Sequence, residues 1–145
     1  MTSEPSEPAL DALFRTASEL AAAEAEHSVG VGEDGEGVAA AALTRSGAVL
    51  VGVWVEAMVD SACLCAETGP ICDAHRTRDP IRASVCVRWT SDQGATVLPA
   101  CGVCQERLAV FGGDVLIAVA LGDGGVEYAT LADLRPHPWW SAVEG

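Results

Sequence analysis

Apolar positions in the first third of the chain fall into two unlike patterns. In residues 9–25, "ALDALFRTASELAAAEA", Leu10, Leu13, Phe14, Ala17 and Leu20 recur at three- and four-residue spacing, which predicts a helix with one buried face. From Val38 the pattern changes. The stretch "VAAAALTRSGAVLVGVWVEA" holds two near-continuous apolar runs broken at Ser46-Gly47, which predicts a hairpin whose strands are buried on both faces. Farther along, "CAETGPICDAHRTR" predicts a helix opening at Cys65, with Pro70 tolerated in its first turn. "ASVCVRWT" follows as a third strand, "CGVCQERLAVFG" as a helix ending at Gly112-Gly113, "DVLIAVAL" as a fourth strand and "GVEYATL" as a short fifth. The tail "ADLRPHPWWSAVEG" begins as a helical turn and loses regularity at its prolines. Residues 1–8, polar with two prolines, are expected to form a flexible N-terminus, and residues 9–145 a single domain. A hairpin followed by alternating helices and strands predicts an α/β fold, with three layers (α/β/α) and a mixed five-stranded sheet.

Composition narrows the partners. A chain of 145 residues that is 50% hydrophobic can bury one core. Twenty-one acidic residues against eight basic ones give a formal charge of -13, which repels a phosphate backbone, so no nucleic-acid partner is expected. The N-terminus has no basic start or hydrophobic signal core, and the longest apolar runs, such as "VLIAVAL", are far short of the roughly 20 residues of a membrane helix. No membrane partner is expected, and a cytoplasmic location is. In that reducing compartment the cysteines, at 63, 65, 72, 86, 101 and 104, are metal ligands or core fillers rather than disulfides. The pattern Gly30-x-Gly32-x-x-Gly35 does not mark a dinucleotide site, which requires a strand before it and a helix after; here the order is reversed.

The chemistry concentrates in two short segments. Cys101-x-x-Cys104 is a spacing that lets two sulfurs reach one tetrahedral ion from the start of a helix, and Cys65 supplies a third. Three protein ligands leave one corner open, which separates catalytic zinc from structural zinc. Glu67, two residues past Cys65, can lie beside the ion without ligating it and handle protons. Two other arrangements fit the same residues. Cys63 can complete a closed four-thiolate site, leaving Glu67 an ordinary acid, or Cys101 and Cys104 can form a redox pair. Cys86 is expected to be a small core residue in its strand. Cys72 and His75 are expected to be helix-side residues without duties, and His27 and His137 lack ligand spacing.

"CAE" followed by "PACGVC", with the hairpin "VAAAALTRSGAVLVGVWVEA" and the tail "LADLRPHPWW", resembles the zinc-dependent cytidine deaminases, including the free-nucleoside and blasticidin S deaminase branches. The resemblance spans roughly residues 8–140. It implies Zn²⁺ held by Cys65, Cys101 and Cys104, Glu67 as the proton shuttle, and Glu56 as the hairpin-end acid that holds a sugar hydroxyl. It further implies Ala66 in the substrate pocket, a small-molecule substrate and a homo-oligomer, tetramer or dimer. The expected reaction is hydrolytic deamination of a small aminopyrimidine compound such as a cytidine-like nucleoside; the alternatives are a nucleoside antibiotic or another heterocyclic amine. Trp54 stands where the family has Asn and is expected to line the pocket, reshaping the space for ribose. Ala100 separates Pro99 from the first cysteine of the pair, and Thr68 stands where many members carry an arginine, with Arg107 as a candidate to replace its charge. Glu56 can also be a plain solvated acid. Trp139 and Trp140 can be tail packing or a cover for a neighbouring subunit's pocket.

Overall fold

The computed structural model describes residues 4–27 and 35–143, so most of the Gly30-x-Gly32-x-x-Gly35 stretch lies outside the described residues. Helix α1 (Glu7–His27) opens the fold, two residues earlier than expected, with Pro8 in its first turn, where a missing N–H breaks no helical bond. The Leu10 N–H donates to the Ser6 carbonyl at 3.1 Å. Leu13, Ala17, Ala21 and Ala25 are buried at four-residue spacing, the inner face that the periodicity predicted.

The hairpin forms β1 (Glu36–Thr44) and β2 (Val49–Val53). Helix α2 (Thr68–Thr77), β3 (Ile81–Thr90), β4 (Gly94–Val97), α3 (Gly102–Leu108), β5 (Leu116–Ala120), β6 (Val126–Thr130) and α4 (Leu131–Leu134) complete the order. The sheet runs β2-β1-β3-β5-β6, with β4 pairing only to β3. β1 and β3 are antiparallel whereas β3 and β5 are parallel, so the sheet is mixed. The five expected strands are present, and β4 adds a sixth along residues 87–90 of β3.

Strand parity builds the layers. Ala39 and Ala41 of β1 pack with Leu13, Ala17 and Ala21 of α1, while Ala42 packs on the other face with Ile71 and Ala74 of α2 and Leu108 of α3. The residue without a side chain at Gly37 lets α1 approach: a Cβ there would lie 2.0 Å from the Ala21 carbonyl oxygen. β1 is buried on both faces as expected. β2 is not, because it is the sheet edge, and Val49 and Val51 are about half exposed. No helix among the described residues is long and apolar enough to cross a membrane.

Candidate active site

Cys65 is fixed by backbone on both sides. Val55 and Leu64 form an isolated antiparallel bridge just before it, with N–H···O distances of 3.0 and 2.9 Å, and the Thr68 N–H donates to the Cys65 carbonyl at 2.9 Å. Helix α2 therefore begins at Thr68 and not at Cys65. The reason is Pro70: it has no N–H to give the Ala66 carbonyl, so the first carbonyl to accept a four-residue helical bond is that of Glu67, from Ile71 N at 3.1 Å. Cys65, Ala66 and Glu67 are left in a turn that leads into the helix. Gly52 of β2 lies directly against this turn, since a Cβ there would be 2.3 Å from the Ala66 carbonyl oxygen.

The second segment is held as firmly. The Leu98 N–H donates to the Cys86 carbonyl on β3 at 2.9 Å, and Gln105 Nε2 on α3 donates to the Ala100 carbonyl at 2.8 Å. Between these anchors Pro99 and Ala100 lead to Cys101, the N-cap of α3, whose carbonyl accepts from Gln105 N at 2.8 Å. One helical turn on, Cys104 is fully buried.

The sulfurs of Cys65, Cys101 and Cys104 converge, lying within 4.8 Å of one another, with Cys65 and Cys101 at 3.7 Å. Tetrahedral zinc with Zn–S bonds of about 2.3 Å requires sulfurs roughly 3.8 Å apart. The donor set thus fits zinc in type, number and spacing. Cys63 does not join it: its sulfur accepts from the Ala57 N–H at 3.4 Å instead. All six thiols are free.

Burial raises the Cys104 thiol well above the usual cysteine range, and the neighbouring Glu67 and Cys101 charges add to it. Burial also raises Cys65. At Cys101 burial acts in the same direction but is outweighed by the backbone N–H groups of Cys104 and Val103 and by the flanking thiols, which hold it below the usual range. Those N–H groups belong to the start of α3, where a helix carries partial positive charge.

Glu67 is 5% exposed. Burial pushes its carboxyl above the usual glutamate range, partly offset by its own N–H and by the Cys104 and Cys86 thiols beside it. A carboxyl raised in this way is a better proton carrier than an exposed glutamate.

Glu67 opens onto a cavity of about 150 Å³ whose other walls include Val38, Trp54, Ala66, Leu98 and Pro99, with Cys65 and Cys101 at one side. Trp54 is placed there by its backbone N–H, which donates to the Val38 carbonyl at 3.0 Å. Three of the expected substrate-side positions separate here. Trp54 and Ala66 line the cavity, while Glu56 is exposed and is not part of its wall. Cys86 is buried but more than a core filler, for it lines the cavity and contacts Glu67. Strand register carried that signal: Cys86 pairs with Ala40, and the two pack with Ala66. Cys72 and His75 are exposed on α2, as expected.

Two groups of polar contacts involve α3 and its surroundings. Arg107 Nη1 donates to Thr68 Oγ1 at 3.1 Å, bringing a guanidinium to the residue after Glu67. Glu106 accepts from Trp139 Nε1 at 3.0 Å and from Arg135 Nη2 at 2.7 Å, and Arg135 stacks on Trp140 with its Cζ 4.9 Å from the ring centre. The tail is thereby fastened to α3 of its own chain, and neither tryptophan lines the cavity beside Glu67.

No family model matches the chain, and no curated protein matches it by sequence. Solved structures do. A cytidine deaminase from Bacillus anthracis superposes with a TM-score of 0.75 at 27% identity, over 90% of this chain and 91% of that one. A cytidine deaminase from Mycobacterium tuberculosis gives 0.68 at 28% identity, over 90% and 96%. One from Mycobacterium leprae gives 0.65 at 25%, over 88% and 98%.

Proposed function

We propose that this chain, which belongs to the cytidine deaminase family in fold and in its cysteine-glutamate pattern, is a zinc-dependent aminohydrolase that deaminates a small aminopyrimidine compound of the class that includes cytidine and deoxycytidine. The observation that carries the reading is the joint placement of three sulfurs at zinc spacing and one buried carboxyl on the wall of a single cavity. The likeness to solved cytidine deaminases over nine-tenths of the chain supports it.

Cys65, Cys101 and Cys104 would hold the ion. When bound it supplies Lewis-acid activation of solvent for attack on the amine-bearing carbon. Three thiolates leave the centre with net charge near -1, and the N–H groups at the start of α3 and the Arg107 guanidinium offset part of that. Glu67 takes one proton of the attacking solvent and delivers it to the ring nitrogen, then takes the second from the hydroxyl added to the carbon and passes it to the departing amine. One C–N bond is exchanged for one C–O bond, water is consumed and ammonia leaves. Burial serves this role, because a carboxyl removed from bulk water holds its proton at a pH where an exposed one would have lost it. Trp54 and Ala66 form walls for the ring, and Glu56 is assigned to the approach to the pocket.

The row of exposed apolar side chains on and beyond the edge strand, Val49, Val51, Val55, Met58, Val59 and Leu64, supports assembly as a homo-oligomer. Six free thiols suit a cytoplasmic setting. The chemical role is tested by Glu67→Gln, which should keep one zinc per chain and lose at least about 10²-fold in the rate of ammonia release. Near-normal turnover in that variant would remove the shuttle role.

A further inference from the structure

The cavity beside Glu67 is small and poor in hydrogen-bond partners. Its volume of about 150 Å³ is below the roughly 300–1,000 Å³ of sites that enclose drug-sized ligands. Five of its wall residues, Val38, Trp54, Ala66, Leu98 and Pro99, carry no side-chain acceptor. The remaining side chains on the wall are Cys65 and Cys101, which are assigned to the metal, Glu67, which is assigned to the proton transfers, and Cys86, whose thiol is engaged with Glu67. Glu56, the nearest acid in sequence to Trp54, is exposed and outside the wall.

A flat aminopyrimidine ring fits such a slot, since its faces need only apolar contact and its polar edge meets Glu67. The side chains of this wall offer a ribose little to bind. Each sugar hydroxyl is both donor and acceptor, and among the side chains of this wall only the indole N–H of Trp54 has no role assigned above. A polar group buried without a partner reduces affinity by roughly 5- to 150-fold.

We propose that the substrate is an aminopyrimidine whose ring nitrogen carries hydrogen or a small apolar group, and that Trp54, through its bulk, is the residue that selects against a sugar there. The inference rests on the deaminase reading and narrows its substrate. The rim position of Trp54, 44% exposed yet part of the wall, is where a substituent on the ring would leave the cavity.

The test uses the full zinc-loaded chain and compares cytosine, 1-methylcytosine, 1-propylcytosine, deoxycytidine and cytidine by ammonia release, with calorimetric binding of the same compounds to the Glu67→Gln chain. The expected result is kcat/KM for 1-methylcytosine at least about tenfold above that for cytidine, the deficit of cytidine lying in KM and appearing equally in its Kd. Trp54→Phe, which keeps the bulk and loses the N–H, should preserve the preference. Trp54→Asn, which opens the wall and adds a donor and an acceptor, should shrink it to within about twofold. Cytidine turned over as well as 1-methylcytosine or better, or a preference unchanged in Trp54→Asn, overturns the proposal and leaves the deaminase standing. If the zinc-loaded chain neither binds nor deaminates any of the five, the deaminase reading itself falls, and this inference with it.

Discussion

Gly52→Ala places a single methyl group where the geometry of the metal loop depends on there being none. The added Cβ would lie 2.3 Å from the Ala66 carbonyl oxygen and 2.6 Å from Pro70 Cδ, about 1 Å inside ordinary contact with backbone that cannot rotate away. Overpacking of this kind costs about 1–3 kcal/mol of stability. The larger effect falls on the site. Ala66 lies between the ligand Cys65 and the buried Glu67, so relieving the clash shifts both. Ligand distances tolerate only about 0.2 Å, and a catalytic group misplaced by about 1 Å can cost 10²-fold in rate. Zinc affinity, measured by competition with a chromophoric chelator, should fall at least about tenfold, and ammonia release about 10²-fold, in protein that is still folded by circular dichroism. Gly37→Ala is the control. Its Cβ would lie 2.0 Å from the Ala21 carbonyl oxygen on α1, so it should also cost stability, with zinc affinity kept. If Gly52→Ala binds zinc and turns over within threefold of the unaltered chain, the close approach of β2 does not position the metal loop, and the reasoning is refuted.

Two further outcomes follow from polar contacts. Arg107→Ala removes the guanidinium docked on Thr68; zinc affinity should fall by no more than about fivefold, the scale of an exposed charge, and the loss should shrink as salt is raised. An effect that does not respond to salt would remove the charge-offset role. Glu36 is held below the usual glutamate range by its hydrogen bond and charge interaction with Arg88. A carboxyl depressed on folding contributes stability that is fully present above its unfolded pKa of about 4.3 and is lost as pH falls through the lower folded value. Acid unfolding followed by fluorescence should therefore be less steep below pH 4.3 in Glu36→Gln, with the two proteins differing by a constant offset above it. Identical acid slopes would contradict that assignment.

What the sequence made legible depended on how local each feature is. Helix α1 and the hairpin are written in periodicities that packing had only to accept, and the ligand set is written in residue types and short spacings. The start of α2 was legible in principle, since Pro70 cannot bond to the Ala66 carbonyl, yet the apolar pattern extends back to Cys65 and suggested a longer helix. β4 is four residues in a polar stretch, and only its pairing with β3 makes it a strand. The apolar run of β2 predicts burial on two faces, whereas it belongs to an edge strand with half-exposed valines. The pocket position of Cys86 depends on the register of β3 against β1, and the distance of Glu56 from the cavity depends on the path of residues 54–64. Neither is a property of neighbouring residues in the chain.

X-ray absorption at the zinc edge of the purified chain, loaded with one equivalent of metal, tests the central claim most directly. Three sulfur scatterers at about 2.3 Å and one oxygen or nitrogen are expected, the sulfur count unchanged in Cys63→Ser and the lighter scatterer displaced when a competing small ligand is added. Four sulfurs in the unaltered chain, falling to three in Cys63→Ser, would show a closed site with no place for solvent and would contradict it.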